Sequence, residues 1–209
     1  MLKSTPHQIS VTRDGLLVSR RLTATVADAV PAARHLVRER FGRRPLHAVE
    51  VIVTSPKRLA RIAAISQGEA AGVPADVFMD KTLSLTTRPG DLYSVTVIAP
   101  KGVIRILVNS TRVRRRTREI GGTLVWAFVE ADQLCRKGAV ERRIALTRHE
   151  MGTDVLPKGK ARSLYRIEAE MEAEAAKVTG QILGKVVRQN RHAETQAAHE
   201  VRPAENAAA

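Results

Sequence analysis

Residues 112–138 read R-V-R-R-R-T-R-E-I-G-G-T-L-V-W-A-F-V-E-A-D-Q-L-C-R-K-G, and they join a basic segment to an apolar one. Five of the first seven residues are arginine: Arg112, Arg114, Arg115, Arg116 and Arg118. The apolar residues that follow have the spacing of a buried helix. We therefore predict one helix over about 113–136, with a weak point at the adjacent glycines 121 and 122.

The length and composition of the chain predict a single globular domain. Its 209 residues are 44% hydrophobic and 27% charged, which is ordinary for a domain with a sizeable core. Only 3% are aromatic, so that core is expected to consist of Leu, Ile, Val and Ala. No apolar run approaches the ~18 residues of a membrane span, and the N-terminus has no apolar signal segment. These features predict a cytoplasmic protein with no membrane partner.

Positive charge is concentrated in the first part of the chain. The formal net charge is +14, and residues 1–118 contain 21 Lys and Arg against eight Asp and Glu. Residues 119–209 contain 14 and 13 of these types. Such an asymmetry favours a nucleic acid or another polyanion as the partner of the basic half. The alternative is that the arginines serve solubility alone.

The arginine run lies at a predicted strand-to-helix junction. A helix N-terminus carries partial positive charge, so clustering cations there is unfavourable unless an anion binds. We therefore expect the five arginines to contact phosphate. Alternatively, the Glu-rich segment 168–174 neutralises them within the fold. The chain has only six aromatic residues, and this scarcity argues against recognition of single strands and favours weakly specific contacts to the nucleic-acid backbone.

Alternation, β-branched residues and turn signals predict the remaining elements. Strands are predicted at 15–19, 47–54, 82–86, 92–99 and 103–108, with a turn at 88–91 and the last two strands forming a hairpin. Helices are predicted at 26–40, from Pro56 to Gly72, at 139–151 and at 163–189. In the first of these, Thr25 is a possible N-cap, and Pro31 either kinks the helix or places its start near Val30.

This order of elements predicts an α+β fold. The expected architecture is a small mixed or antiparallel sheet with N-terminal helices, followed by a C-terminal helical part. One domain is predicted over residues 11–189, divided into 11–111 and 112–189. Residues 1–10 are expected to be flexible, and residues 190–209, which are polar and rich in alanine, are expected to form a disordered tail.

No motif for catalysis or for metal binding is present. The chain has six histidines, but none lies four residues from another, which is the spacing that two zinc ligands on one helix turn require. Glycine-rich phosphate loops and the G-x-S-x-G nucleophile motif are also missing. The sequence therefore predicts no catalytic residue, no metal and no cofactor.

The segment T-L-V-W-A-F-V-E-A-D-Q, residues 123–133, resembles the active-site helix of zincin-like metallopeptidases. The motif of that family is H-E-x-x-H, and here residues 126–130 are W-A-F-V-E. Trp126 stands at the first histidine position, Ala127 at the glutamate and Glu130 at the second histidine. The resemblance extends over residues 103–176, because a strand precedes the helix and carboxylates at 168–174 follow where a gluzincin-type third ligand would lie.

This resemblance implies a metallopeptidase-like fold without peptidase activity. Tryptophan cannot ligate zinc, and alanine cannot act as the general base for a zinc-bound water. The implied function is that of a non-catalytic binding or scaffold protein, with another protein as a possible partner. The alternative is a basic, nucleic-acid-associated protein, and an active metal-dependent hydrolase is least favoured. The same residues also fit an ordinary buried helix face.

Overall fold

The computed structural model describes residues 9–16, 18–42, 48–74, 76–77 and 91–205, with side-chain surroundings up to residue 189. The strands are β1 (Ser10–Asp14), β2 (Val49–Thr54), β3 (Ser94–Ile98) and β4 (Ile104–Asn109). The helices are α1 (Arg20–Phe41), α2 (Pro56–Ala71), α3 (Ser110–Arg115), α4 (Ile120–Leu134), α5 (Ala139–Met151) and α6 (Lys158–Glu205). Short 3₁₀ turns occupy Pro100–Gly102 and Thr117–Glu119.

The four strands form one mixed sheet in the order β1-β2-β4-β3. β1, β2 and β4 are parallel, whereas β3 pairs antiparallel to β4 as the predicted hairpin requires. Together with the helices, this sheet confirms the α+β class. The predicted strand at 82–86 and most of the predicted turn at 88–91 lie outside the described residues.

The two faces of the sheet are covered by different helices, as the period-2 pattern of the strands requires. On one face, Ile104 and Ile106 of β4 pack in the main core with residues of α1, α4 and α6. On the other face, Leu107 packs with Leu59 of α2. The apolar helix α4 is therefore held against the sheet beside α1, and its outer side meets α6.

One edge of the sheet collects the C-terminal ends of all three parallel strands. The register places Asp14, Thr54 and Asn109 in a row across β1, β2 and β4. Thr54 donates a hydrogen bond to Asp14 at 3.1 Å, and Asp14 also pairs with Arg58. Because α1, α2 and α3 follow these strands, all three helices begin near this edge.

Asn109 is fully buried and joins three segments at this edge. Its Oδ1 accepts hydrogen bonds from the backbone N–H groups of Thr111 at 3.1 Å and Arg112 at 3.3 Å, so it caps α3. Its Nδ2 donates to the carbonyl of Leu92 at 2.8 Å, in the segment that leads into β3.

The N-terminal elements differ from the prediction. The first strand is β1 at Ser10–Asp14, not 15–19, and it begins within the segment 1–10 that was expected to be flexible. α1 starts at Arg20 after Ser19, whose hydroxyl accepts from the N–H of Leu22 at 3.4 Å. Thr25 lies inside the helix and donates to the carbonyl of Arg21, so it is not the N-cap. Pro31 is accommodated on the exposed side of α1.

The predicted helix at 113–136 is two helices. The break falls at Arg116, whose φ of −141° and ψ of 63° are not helical, and the two glycines lie within α4. Arginines three and four residues apart repel one another in a helix, which disfavours one continuous helix through the run.

The long C-terminal helix extends beyond its predicted limits at both ends. α6 begins at Lys158 instead of 163, and it continues to Glu205 through most of the segment predicted to be a disordered tail. Alanine, glutamate, glutamine and arginine have high helix propensity, which is the local reason for this continuation. Across the described part of the chain, no helix has both the length and the apolar character of a membrane-spanning segment.

Candidate functional site

Two of the five arginines in the run have acidic partners. Arg112 pairs with Asp91 and lies 6.0 Å from the ring centroid of Tyr93. Arg116 donates to Glu119 at 3.0 Å. Glu119 also accepts from the hydroxyl of Tyr93, and this hydrogen bond raises the pKa of Tyr93 and lowers the pKa of Glu119. These contacts fix the two arginines against the segment before β3.

The other three arginines are Arg114, Arg115 and Arg118, and we call them the arginine patch. All three are exposed, and no described residue forms an ion pair with any of them. The patch lies on α3 and the turn after it, near the edge of the sheet where the parallel strands end. Its charge is therefore available to a ligand.

The Glu-rich part of α6 does not neutralise the arginine run, which corrects the alternative raised by the sequence. Glu168 pairs with Arg143 of α5. Glu174 accepts from both terminal nitrogens of Arg136, at 2.6 and 2.7 Å, and from Gln133 at 3.1 Å. These carboxylates instead hold α6 against α4 and α5.

The three positions aligned with H-E-x-x-H have different surroundings. Trp126 is half-buried, and its side chain hydrogen-bonds to the carboxylate of Glu130, one turn along α4. Ala127 is 0% exposed and packs in the main core. Its carbonyl accepts from the hydroxyl of Thr96 on β3 at 3.4 Å. Trp126 and Glu130 are thus neighbours on a partly exposed face of α4, whereas Ala127 is buried.

Glu130 lines a cleft of about 490 Å³ between β3, α4, α5 and α6, which we call the Glu130 cleft. Its polar walls include Gln133 of α4, the paired Arg143 and Glu168, and Glu172. The sequence points to Glu130 but not to Arg143, because the residues around Arg143 give no sign that α5 packs beside this cleft.

These groups do not fit a zinc ion. The indole of Trp126 has no lone pair for a metal, and its hydrogen bond occupies Glu130. Ala127 brings no donor atom. Zinc sites take several Cys, His or carboxylate ligands, and no cluster of three such residues exists within the described ranges. No chemical step through a metal follows from this arrangement.

Burial raises the pKa of Glu130 above its ordinary value of 4.5, against the opposing hydrogen bonds from Thr96 and Trp126. The folded protein therefore holds this proton to a higher pH than the unfolded chain does. The stability associated with it is complete below pH 4.5 and decreases as the pH rises through the raised pKa.

We expect Glu130→Gln to remove this decrease. The free energy of unfolding of the variant, relative to that of the wild type, should increase as the pH rises from 4.5 through the raised pKa. Urea unfolding of both proteins at each pH measures the difference, in which contributions from groups that do not interact with Glu130 cancel. A constant difference across the range would contradict a raised pKa for Glu130.

A second hollow of about 660 Å³ lies beside the arginine patch, between the segment before β3, α4 and α6. We call it the apolar groove. Its walls include Tyr93, Trp126 and Val187, and Arg118 stands at its rim. Val187 is 50% exposed. The sequence did not reveal this groove, because the two aromatic residues are far apart in the chain and meet only through packing.

The site thus consists of an exposed arginine patch, an adjoining apolar groove and the Glu130 cleft, which shares Leu92 and Ser94 with the groove. No protein-family model, no curated protein and no solved structure matches this chain.

Proposed function

We propose that the chain is a non-catalytic binding protein that contacts nucleic-acid phosphates through the arginine patch. The observation that carries this proposal is that Arg114, Arg115 and Arg118 are exposed and have no acidic partner among the described residues. Adjacent cations repel one another, and phosphate oxygens relieve that repulsion through charge-assisted hydrogen bonds.

The topology of the sheet supports the same proposal. Arg20 and Arg21 at the start of α1 and Lys57 near the start of α2 are exposed at the edge where α3 also begins. The partial positive charges of the α1 and α2 N-termini add to this field. A polyanion is drawn to such an edge by long-range attraction, with contacts to its backbone and little sequence preference. We also propose that the protein is located in the cytoplasm.

Titration of fluorescein-labelled duplex DNA and duplex RNA tests this function. At physiological salt we expect dissociation constants of about 10⁻⁴ to 10⁻⁶ M, with log K falling linearly as log salt rises from about 50 to 200 mM. Fluorescence anisotropy measures both quantities. If neither the duplexes nor any single strand bind at low salt, the proposed function is overturned.

A second proposal concerns ancestry and the Glu130 cleft. Trp126 and Glu130 lie side by side, and carboxylates of α6 line the same cleft as Glu130. This arrangement supports a metallopeptidase-like fold whose zinc site is lost and whose cleft serves as a scaffold for another protein. An active hydrolase has the least support, since Ala127 provides no base. Stoichiometric zinc in the purified protein would contradict the loss of the site.

A further inference from the structure

The apolar groove and the arginine patch share Arg118, so an apolar surface adjoins exposed positive charge. Two of the chain's six aromatic residues, Tyr93 and Trp126, line this one groove. Leu183, Val186 and Val187 of α6 form the opposite wall. A ligand that fills both surfaces would place a neutral, flat group in the groove and an anionic backbone on the arginine patch.

We propose that the apolar groove binds an unstacked base of single-stranded nucleic acid whose phosphates lie on the arginine patch. This inference rests on the proposed phosphate binding and adds a base-binding site that only single strands can fill. Every nucleobase has a π-face that stacks on aromatic side chains irrespective of sequence, and arginines beside the groove hold the backbone. A duplex keeps its bases stacked inside, so it uses the patch but leaves the groove empty.

The arginine patch and the aromatic walls together favour a nucleic acid over an acidic peptide. Asp91 and Glu119 line the groove together with Arg118, and both carboxylates are paired with arginines of the run. An acidic amphipathic peptide would bring its carboxylates into the groove, next to Asp91 and Glu119. A nucleic acid brings a neutral base that stacks on aromatic side chains, and it leaves its phosphates outside the groove on the arginine patch.

Trp126 is the only tryptophan of the chain, so its fluorescence reports on the groove directly. We expect a dT oligonucleotide of about 12 residues to quench this fluorescence and to bind about five times more tightly than an abasic strand of equal length. The abasic strand and a duplex should bind without quenching. Parallel titration with a U oligonucleotide of equal length shows whether the DNA strand or the RNA strand binds more tightly.

Val187→Asp changes the groove without touching the core, because Val187 is 50% exposed. We expect this variant to lose the quenching and about fivefold in affinity for the dT strand, and to bind the abasic strand within about twofold of the wild type. Val155→Asp is the matched control, because Val155 is 80% exposed in the loop between α5 and α6. It should leave both affinities and the quenching unchanged.

The possible outcomes separate this inference from the function on which it rests. Equal affinity for dT and abasic strands, or binding of dT without quenching, would overturn base binding while phosphate binding stands. Quenching by an acidic amphipathic peptide but not by dT would assign the groove to a protein instead. Absence of binding by every nucleic acid at low salt would overturn the proposed function itself.

Discussion

Replacement of Arg114, Arg115 and Arg118 by alanine is expected to weaken nucleic-acid binding at least about tenfold at low salt. Each arginine that contacts a phosphate releases about one counterion, so the slope of log K against log salt should become shallower by about 3 units. The loss should be similar for different sequences, because phosphate contacts carry no base information. Anisotropy titrations at several salt concentrations measure both effects.

The control is a variant with the same loss of charge elsewhere. Arg38 and Arg40 lie in the last turn of α1, away from the edge where the parallel strands end, and Arg162 lies in the first part of α6. All three are exposed. Their combined replacement by alanine should change affinity by less than about threefold. An equal effect of the two triple variants would mean that net charge, and not the patch, drives binding.

Ala127→Glu is expected to destabilise the fold by about 3–5 kcal/mol, because it places a carboxylate in the core. Ala127 is 0% exposed and packs in the core beneath β3. A glutamate there either overpacks the core or leaves a buried carboxylate without a partner. Thermal and urea unfolding measure the loss. Although this substitution introduces the glutamate of H-E-x-x-H, we expect it to disrupt α4 and not to restore a site.

Ala24→Glu is the matched substitution on an exposed helical position. Ala24 lies on the solvent side of α1, one turn from Arg20, so the same side-chain change should alter stability by at most about 0.5 kcal/mol. If Ala127→Glu were as stable as this control, the side chain would have to open onto the Glu130 cleft. The metallopeptidase resemblance would then include the catalytic position and not only its two neighbours.

Elements with strong local signals could be predicted from the sequence. α5 has the predicted bounds because its apolar spacing is followed by Gly152, which adopts the left-handed conformation with φ of 74°. The β3–β4 hairpin and the start of α2 after Ser55 were also predicted, since turn residues and Pro56 mark them locally.

Other features depend on partners far away in the chain. β1 has the polar sequence S-V-T-R-D and no apolar alternation, so only its pairing with β2 makes it a strand. Likewise, the sequence shows that part of α6 is rich in glutamate, but it does not show which cations these carboxylates pair with. Packing decides that Glu174 meets Arg136 and not the arginine run. The apolar groove also results from packing alone, because α6 brings Val187 opposite Trp126.

The buried amide of Asn109 connects the helix of the arginine patch to the wall of the apolar groove through three hydrogen bonds. It caps the helix that carries Arg114 and Arg115, and it anchors Leu92 beside Tyr93 in the groove wall. A strand that binds both surfaces therefore meets a preorganised receptor, and little affinity is spent on ordering the protein.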